Sequence, residues 1–347
     1  MLRKSLSVMA ASSAGLMMFA LTGCSEEDLP DKGNGNVIGF TLDMGKNEDA
    51  MSENTTHTRG TRIKTDNLNT FYNGKVGVRS FYGANLYFDN VLNYESNHRW
   101  KTPVTYYWPT NTGNLDFWAW APQTLPTGKG TRDDIKGKIN NSSKTVSFNY
   151  TMQAPDATNK KDAENQQDLI FAYSSTKMTD HAGCVPLQFK HALAAIRFKI
   201  ANTGVYTIQS VSMSGIAPKG NCTYAPNAVS PNPMFNWSLD GSVSRVTFVQ
   251  TFTEKNVSKI ESATFTELGK EETTFLIIPQ TLDGSSQKLT LNYREESTNL
   301  SIEASIPAIT WEAGKLYTYT ITMPSDHCIL EVEVEDWIPE EAEEIEF

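Results

Sequence analysis

The sequence predicts an all-β protein, with two antiparallel β-sandwich domains in tandem behind an export segment. Three observations predict it. Apolar residues alternate with polar ones at Val146/Phe148/Tyr150, Leu169/Phe171/Tyr173, Leu289/Leu291/Tyr293, Leu300/Ile302/Ala304/Ile306 and Tyr317/Tyr319/Ile321/Met323, the period of strands with one face on a core. Gly, Pro, Asn and Ser gather between such runs, at 110–114, 122–130, 140–143, 226–233 and 283–286, where turns need them. Helical periodicity is hard to find in the body. The chain has 347 residues, too many for one sandwich of about 100–150 residues, so two are expected.

The elements follow in order. Arg3-Lys4 precedes a mostly apolar run over 9–21 and then Leu21-Thr22-Gly23-Cys24. The run is too short to span a bilayer, and its basic flank and small-residue end mark a secretory signal over 1–23. Leu-Thr-Gly-Cys resembles the bacterial lipobox, which makes Cys24 the lipidation site, and more than one acyl chain anchors stably. Ser25-Glu26-Glu27-Asp28 opens a polar, Gly/Asn-rich tether over 24–36 that has nothing to pack. This acidic cluster resembles the export signal of outer-surface lipoproteins in Bacteroidota.

Over 37–59, Ile38, Phe40, Leu42 and Met44 alternate with Gly39, Thr41 and Asp43, so one face of a first strand is apolar. A polar segment then leads to Arg59-Gly60-Thr61-Arg62, small and flexible enough for a protease. The first sandwich is expected over 60–178 and the second over 179–347, divided in the polar stretch 174–183. The last residues offer few apolar positions besides Ile345 and Phe347. Before them, Leu330/Val332/Val334 alternate with Glu331/Glu333/Glu335, which reads as an internal strand with a solvated acidic face.

Several segments together resemble the fimbrillins of Bacteroidales, subunits of type V pili. They are LDFWAWAP at 115–122, DLIFA at 168–172, VPLQFKHALAAIRFKI at 185–200, FLIIPQ at 275–280, WEAGKLYTYTITM at 311–323 and the late Asp336-Trp337. The resemblance covers nearly all of the chain after Cys24. It implies transthyretin-like sandwiches, no catalysis and no cofactor. It also implies a lipoprotein precursor that reaches the outer membrane surface and is cut after an arginine by a trypsin-like protease. The first strand then leaves, and a strand from another copy or another fimbrial subunit takes its place in an adhesive fimbrium. Arg59 is the first choice of processing site and Arg62 the second. Ile38, Phe40, Leu42 and Met44 are the displaced strand, and Ile345 and Phe347 a candidate donor. An arginine site and a late strand favour a polymerising subunit over an uncleaved anchor or accessory. Host or bacterial surface receptors are the expected adhesion targets.

Other chemistry is weighed against this reading. The net charge of −10 with no basic stripe argues against nucleic acid, which needs cations to displace its counterions. Trp100, Tyr106, Tyr107, Trp108, Trp118 and Trp120 could stack on sugars, which keeps a monomeric glycan-binding surface lipoprotein as the rival. The alternation in LDFWAWAP suits a strand buried on both faces better. A hydrolase stands well behind. His181 with Cys184, and His327 beside Cys328, match no nucleophile or metal spacing, and His191 reads as a structural strand residue. Asp133-Asp134 and Glu340-Glu341 read as solvated loop pairs, so no catalytic or metal site is expected.

Overall fold

The computed structural model describes residues 36–44, 67–96, 99–109, 113–201, 205–229, 234–257, 265–268, 273–322 and 329–337. Nearly all of its regular structure is strand, as the alternation requires, with short helices at Leu68–Tyr72 and Asp162–Asn165.

An eight-stranded sheet runs in the order Cys184–Gln188, Gly39–Asp43, Arg99–Lys101, Asn85–Ser96, Val76–Tyr82, Leu115–Ala121, Ile170–Thr176, Lys190–His191. Its two ends share one core. Phe40, Leu42, Val185 and Leu187 join Phe117, Ala119, Ile170 and Ala172 in a single buried cluster, so the sheet curls over its own apolar face. The ring of Phe40 meets that of Phe117 edge-on at 5.8 Å, an arrangement the aromatic quadrupole favours.

Leu115–Ala121 is buried at every position. Phe117 and Ala119 face the inner cluster, whereas Trp118 and Trp120 face a second one with Val146, Phe148 and Tyr150. The strand is therefore the middle of three layers, as its alternation of large residues anticipated. The third layer is a five-stranded sheet in which Phe235–Leu239, Lys219–Tyr224 and Thr145–Thr151 are neighbours. Its Phe148 stacks on Phe171 at 5.1 Å.

The remaining strands form the second sandwich. Phe265–Glu267, Ala194–Ala201, Lys315–Thr322 and Ile329–Asp336 make one sheet, and Val246–Val257, Tyr206–Ile216, Lys288–Glu295 and Thr298–Ser305 the other. Ile196, Phe198, Tyr319 and Ile321 from the first meet Val211, Met213, Leu289 and Leu291 from the second in one core. The helix Asp162–Asn165 clamps this body to the first: Asp162 accepts from Val249 N at 2.7 Å, and Gln166 from Leu276 N at 2.6 Å.

Three features refine the expected layout. The division at 178/179 does not follow the sheets, because Cys184–Gln188, Lys190–His191, Lys219–Tyr224 and Phe235–Leu239 all pair with strands before it. The polar stretch 174–183 holds the end of the strand Ile170–Thr176 and the connection from it to Cys184–Gln188 in the same sheet. The sheets are antiparallel as expected at most pairings, and two pairs within them, Gly39–Asp43 with Cys184–Gln188 and Ala194–Ala201 with Lys315–Thr322, run parallel. Among the described residues, Ile329–Asp336 pairs with Lys315–Thr322 alone. Among those residues it is an edge strand, and its outward Glu331, Glu333 and Glu335 are the charges that discourage edge-to-edge pairing.

Candidate functional site

The first strand is an interior element. Gly39–Asp43 pairs residue for residue with Cys184–Gln188, from Gly39↔Cys184 to Asp43↔Gln188. On its other side Phe40 pairs with Trp100 and Thr41 with Arg99. The flanking backbone extends the ladder: Ile38 N donates to Tyr106 O at 2.9 Å, Trp108 N to Asn36 O at 2.6 Å, and Phe189 N to Asp43 O at 2.7 Å. The apolar face is wholly inside, with Ile38, Phe40, Leu42 and Met44 at 2%, 1%, 2% and 1% exposure.

Those four side chains were singled out from alternation alone, and the structure sets all four in one row of pockets. The four belong to the inner cluster, together with Val78, Trp100, Phe117, Val185 and Leu187. Taking the strand away would leave two sheet edges and an apolar slot four side chains long. Cys24, Arg59, Arg62, Ile345 and Phe347 lie outside the described residues. The arginines fall in the 45–66 segment that joins the strand to the helix Leu68–Tyr72.

The rival constellations do not assemble among the described residues. Trp100, Trp108, Trp118 and Trp120 are buried at 2%, 4%, 1% and 1%, so the indoles are core and offer no sugar platform. Tyr107 is exposed, and its carbonyl accepts from Tyr87 Oη at 2.6 Å. Cys184 is disulfide-bonded and Cys222 is free and buried; burial pushes the Cys222 thiol well above its ordinary value, away from a reactive thiolate. His327, Cys328, Glu340 and Glu341 lie outside the described residues. Asp133 is held by Asn149 and by Lys138 at 3.0 Å, and Asp134 caps a short turn. No group of three or more His, Cys, Asp and Glu able to hold a metal occurs among the described residues.

Sequence reasoning missed one buried polar pair. His191 Nδ1 lies 2.8 Å from Asp168 Oδ2, with both side chains almost fully buried. The two residues sit 23 positions apart with no motif between them. The only signal was that each fell in a segment shared with the resembling family.

Fold and slot together define a layered β-sandwich protein whose first strand is a buried, interior component. The chain belongs to the fimbrillin-like family, whose model matches residues 55–337; the first strand precedes the matched region. Among solved structures, it is similar to a fimbrial protein from Bacteroides vulgatus at 17% identity, with a TM-score of 0.55, covering 87% of this chain and all of that one. It is also similar to the C-terminally truncated tip fimbrial protein Mfa3 from Porphyromonas gingivalis. That match has 9% identity and a TM-score of 0.39, covering 87% of this chain and 98% of that one. The first likeness shows the fold, and the second is too distant to argue from. No curated protein matches.

Proposed function

We propose that this chain is the precursor of a fimbrial subunit. It is exported as a lipoprotein, anchored in the outer membrane through Cys24 and cut after Arg59, with Arg62 as the second site, by a trypsin-like protease. It then joins adhesive surface fimbriae by strand exchange, and the assembled fibre meets host or bacterial surface receptors. It carries no catalytic role.

One observation carries the reading: an apolar first strand held on both edges, in a slot built by residues far away in sequence. Such a strand can be replaced only by another strand. A slot left open would expose unpaired backbone donors and acceptors, each costing on the order of 1–3 kcal/mol if buried unsatisfied. It would also expose four pockets, each worth about 1.5–3 kcal/mol when filled by a large apolar side chain. β-Augmentation by a foreign strand supplies both at once.

The test is N-terminal sequencing of the surface form, with the Arg59→Ala/Arg62→Ala variant beside it. A start at Gly60 is expected, and the variant should be lipidated and folded but absent from fimbriae. A surface form that starts at acylated Cys24 points to an uncleaved anchor, and fimbriae that contain the variant overturn the reading.

A further inference from the structure

We infer that a second copy of this chain pairs with the strand Thr298–Ser305, edge to edge and antiparallel, about a two-fold axis at Ser301. Among the described residues this strand ends its sheet and pairs with Lys288–Glu295 alone. The ladder runs from Lys288↔Ser305 to Glu295↔Thr298 without a register shift. Folds blunt a free edge with charges, proline or bulges, because its open N–H and C=O groups invite another strand. Ile329–Asp336, also at an edge among the described residues, follows that rule with Glu331, Glu333 and Glu335. Thr298–Ser305 has no proline, and Glu303 is its one charge.

The strand fits a copy of itself. Leu300, Ile302 and Ala304 form a half-buried row opposite Tyr293, Leu291 and Leu289 of the neighbouring strand, and Asn299, Ser301, Glu303 and Ser305 form the exposed row. Directly opposed residues share a face, so the axis must fall on a residue and not between two. An axis at Ser301 sets Leu300 of each copy opposite Ile302 of the other and carries the apolar row across the seam. Asn299 of each copy then faces Glu303 of the other, and Arg294 stands one strand behind Asn299. The carboxylate thus meets an amide with a cation beyond it. Moving the axis to Ile302 brings the two Glu303 side chains to diagonal positions, within reach of each other.

Ile329–Asp336 fails the same comparison. An axis at Val332, Glu333 or Val334 opposes glutamate to glutamate each time, and like charges directly opposite are destabilising. The two edges of the second sandwich therefore differ in kind: one repels its own copy and the other accepts it. Pairing at Thr298–Ser305 is β-augmentation between identical edges, with main-chain bonds for affinity and side-chain rows for register. This edge belongs to a different sheet from Gly39–Asp43, and its pairing needs no cleavage at Arg59. In a fibre it would join subunits of neighbouring fibres side by side.

Uncut full-length protein is sedimented over a range of concentrations, and single cysteine variants are oxidised mildly beside the parent. The parent should show a monomer–dimer equilibrium. Asn299→Glu/Ser301→Glu, which opposes like charges along the seam, should raise the dimer dissociation constant about tenfold or more. Both positions are exposed, so its urea midpoint should stay near the parent's. Ser301→Cys, at the axis, should give a disulfide-linked dimer that the parent does not, since opposed residues of antiparallel strands lie about 4.5–5.5 Å apart, within disulfide reach. Ser305→Cys, far from its counterpart across the axis, should not. A parent that stays monomeric overturns the inference, as does a dimer that the double variant leaves intact. Failure of Ser301→Cys to cross-link, or equal cross-linking through Ser305→Cys, overturns it too.

Discussion

His191 lies flat against Trp337, with ring centroids 3.8 Å apart and planes 13° apart, while its Nδ1 meets Asp168 Oδ2 at 2.8 Å. Three distant stretches of chain meet in this contact. Asp168 leads into the middle layer of the first body, His191 lies at one end of the eight-stranded sheet, and Trp337 follows the strand Ile329–Asp336 of the second sandwich. Trp337 is 1% exposed, and its amide donates to Gly314 O at 2.8 Å. Trp337→Ala should cost about 3–5 kcal/mol in chemical denaturation, and Trp337→Phe, which keeps a ring over the imidazole, less. An effect under about 0.5 kcal/mol for the alanine variant would mean that the stack does not join the two bodies.

The first strand makes a prediction with opposite results on its two faces. Phe40→Ala empties a pocket against Phe117 and should lower the stability of the uncut precursor by about 3–5 kcal/mol. Thr41→Ala, on the other face and partly exposed, should stay within about 0.5 kcal/mol. Urea titration of both variants measures the contrast. Equal effects would show that the strand is held by its backbone ladder rather than by its apolar row.

Much of this arrangement was legible because a two-residue period reports which face of a strand is buried. Ile38/Phe40/Leu42/Met44 and the two faces of LDFWAWAP were read that way, and burial agrees at each position. The period says nothing about which strand lies alongside. Arg99–Lys101, three residues long, is too short to show a pattern, yet it forms one wall of the slot. Cys184–Gln188, the other wall, lies beyond a polar stretch that looked like a domain boundary. Its parallel pairing with Gly39–Asp43 depends on closing a loop of more than a hundred residues, which local sequence does not encode.

Asp116 gives a pH dependence. Burial disfavours its ionised form, but hydrogen bonds from Lys144, Asn141 and Tyr173 outweigh that and hold its carboxyl below the ordinary value. A carboxyl depressed in the folded state adds stability at neutral pH, and that stability is lost as pH falls through its folded value. Asp116→Asn should therefore destabilise the protein at pH 7. The gap from the parent should close progressively as the pH drops below about 3.9, where the unfolded carboxyl takes up its proton. Paired denaturation curves from pH 7 to pH 2 check the sign; a gap that widens in acid would contradict it.

Gly77 shows how tightly the middle layer is built. It sits opposite Trp120 across the ladder, and a Cβ at this position would lie 2.4 Å from Trp120 Cε2 and 2.5 Å from Cζ2. The backbone conformation is not what demands glycine here; the indole is. Trp120 is buried at 1% exposure and donates from Nε1 to Gln123 O at 3.3 Å, so it cannot swing clear without opening the core beneath it. Gly77→Ala should cost about 1–3 kcal/mol by overpacking. Trp120→Phe removes the atoms the new methyl would strike, at the expense of a cavity. The double variant should therefore lose less stability than the two single losses added together, since residues in contact do not act independently. A double-mutant cycle measured by thermal and urea denaturation gives this coupling directly. Strict additivity would mean that the strand shifts to accommodate the methyl, and that the close approach of Gly77 to the indole is not what fixes this pair of residues.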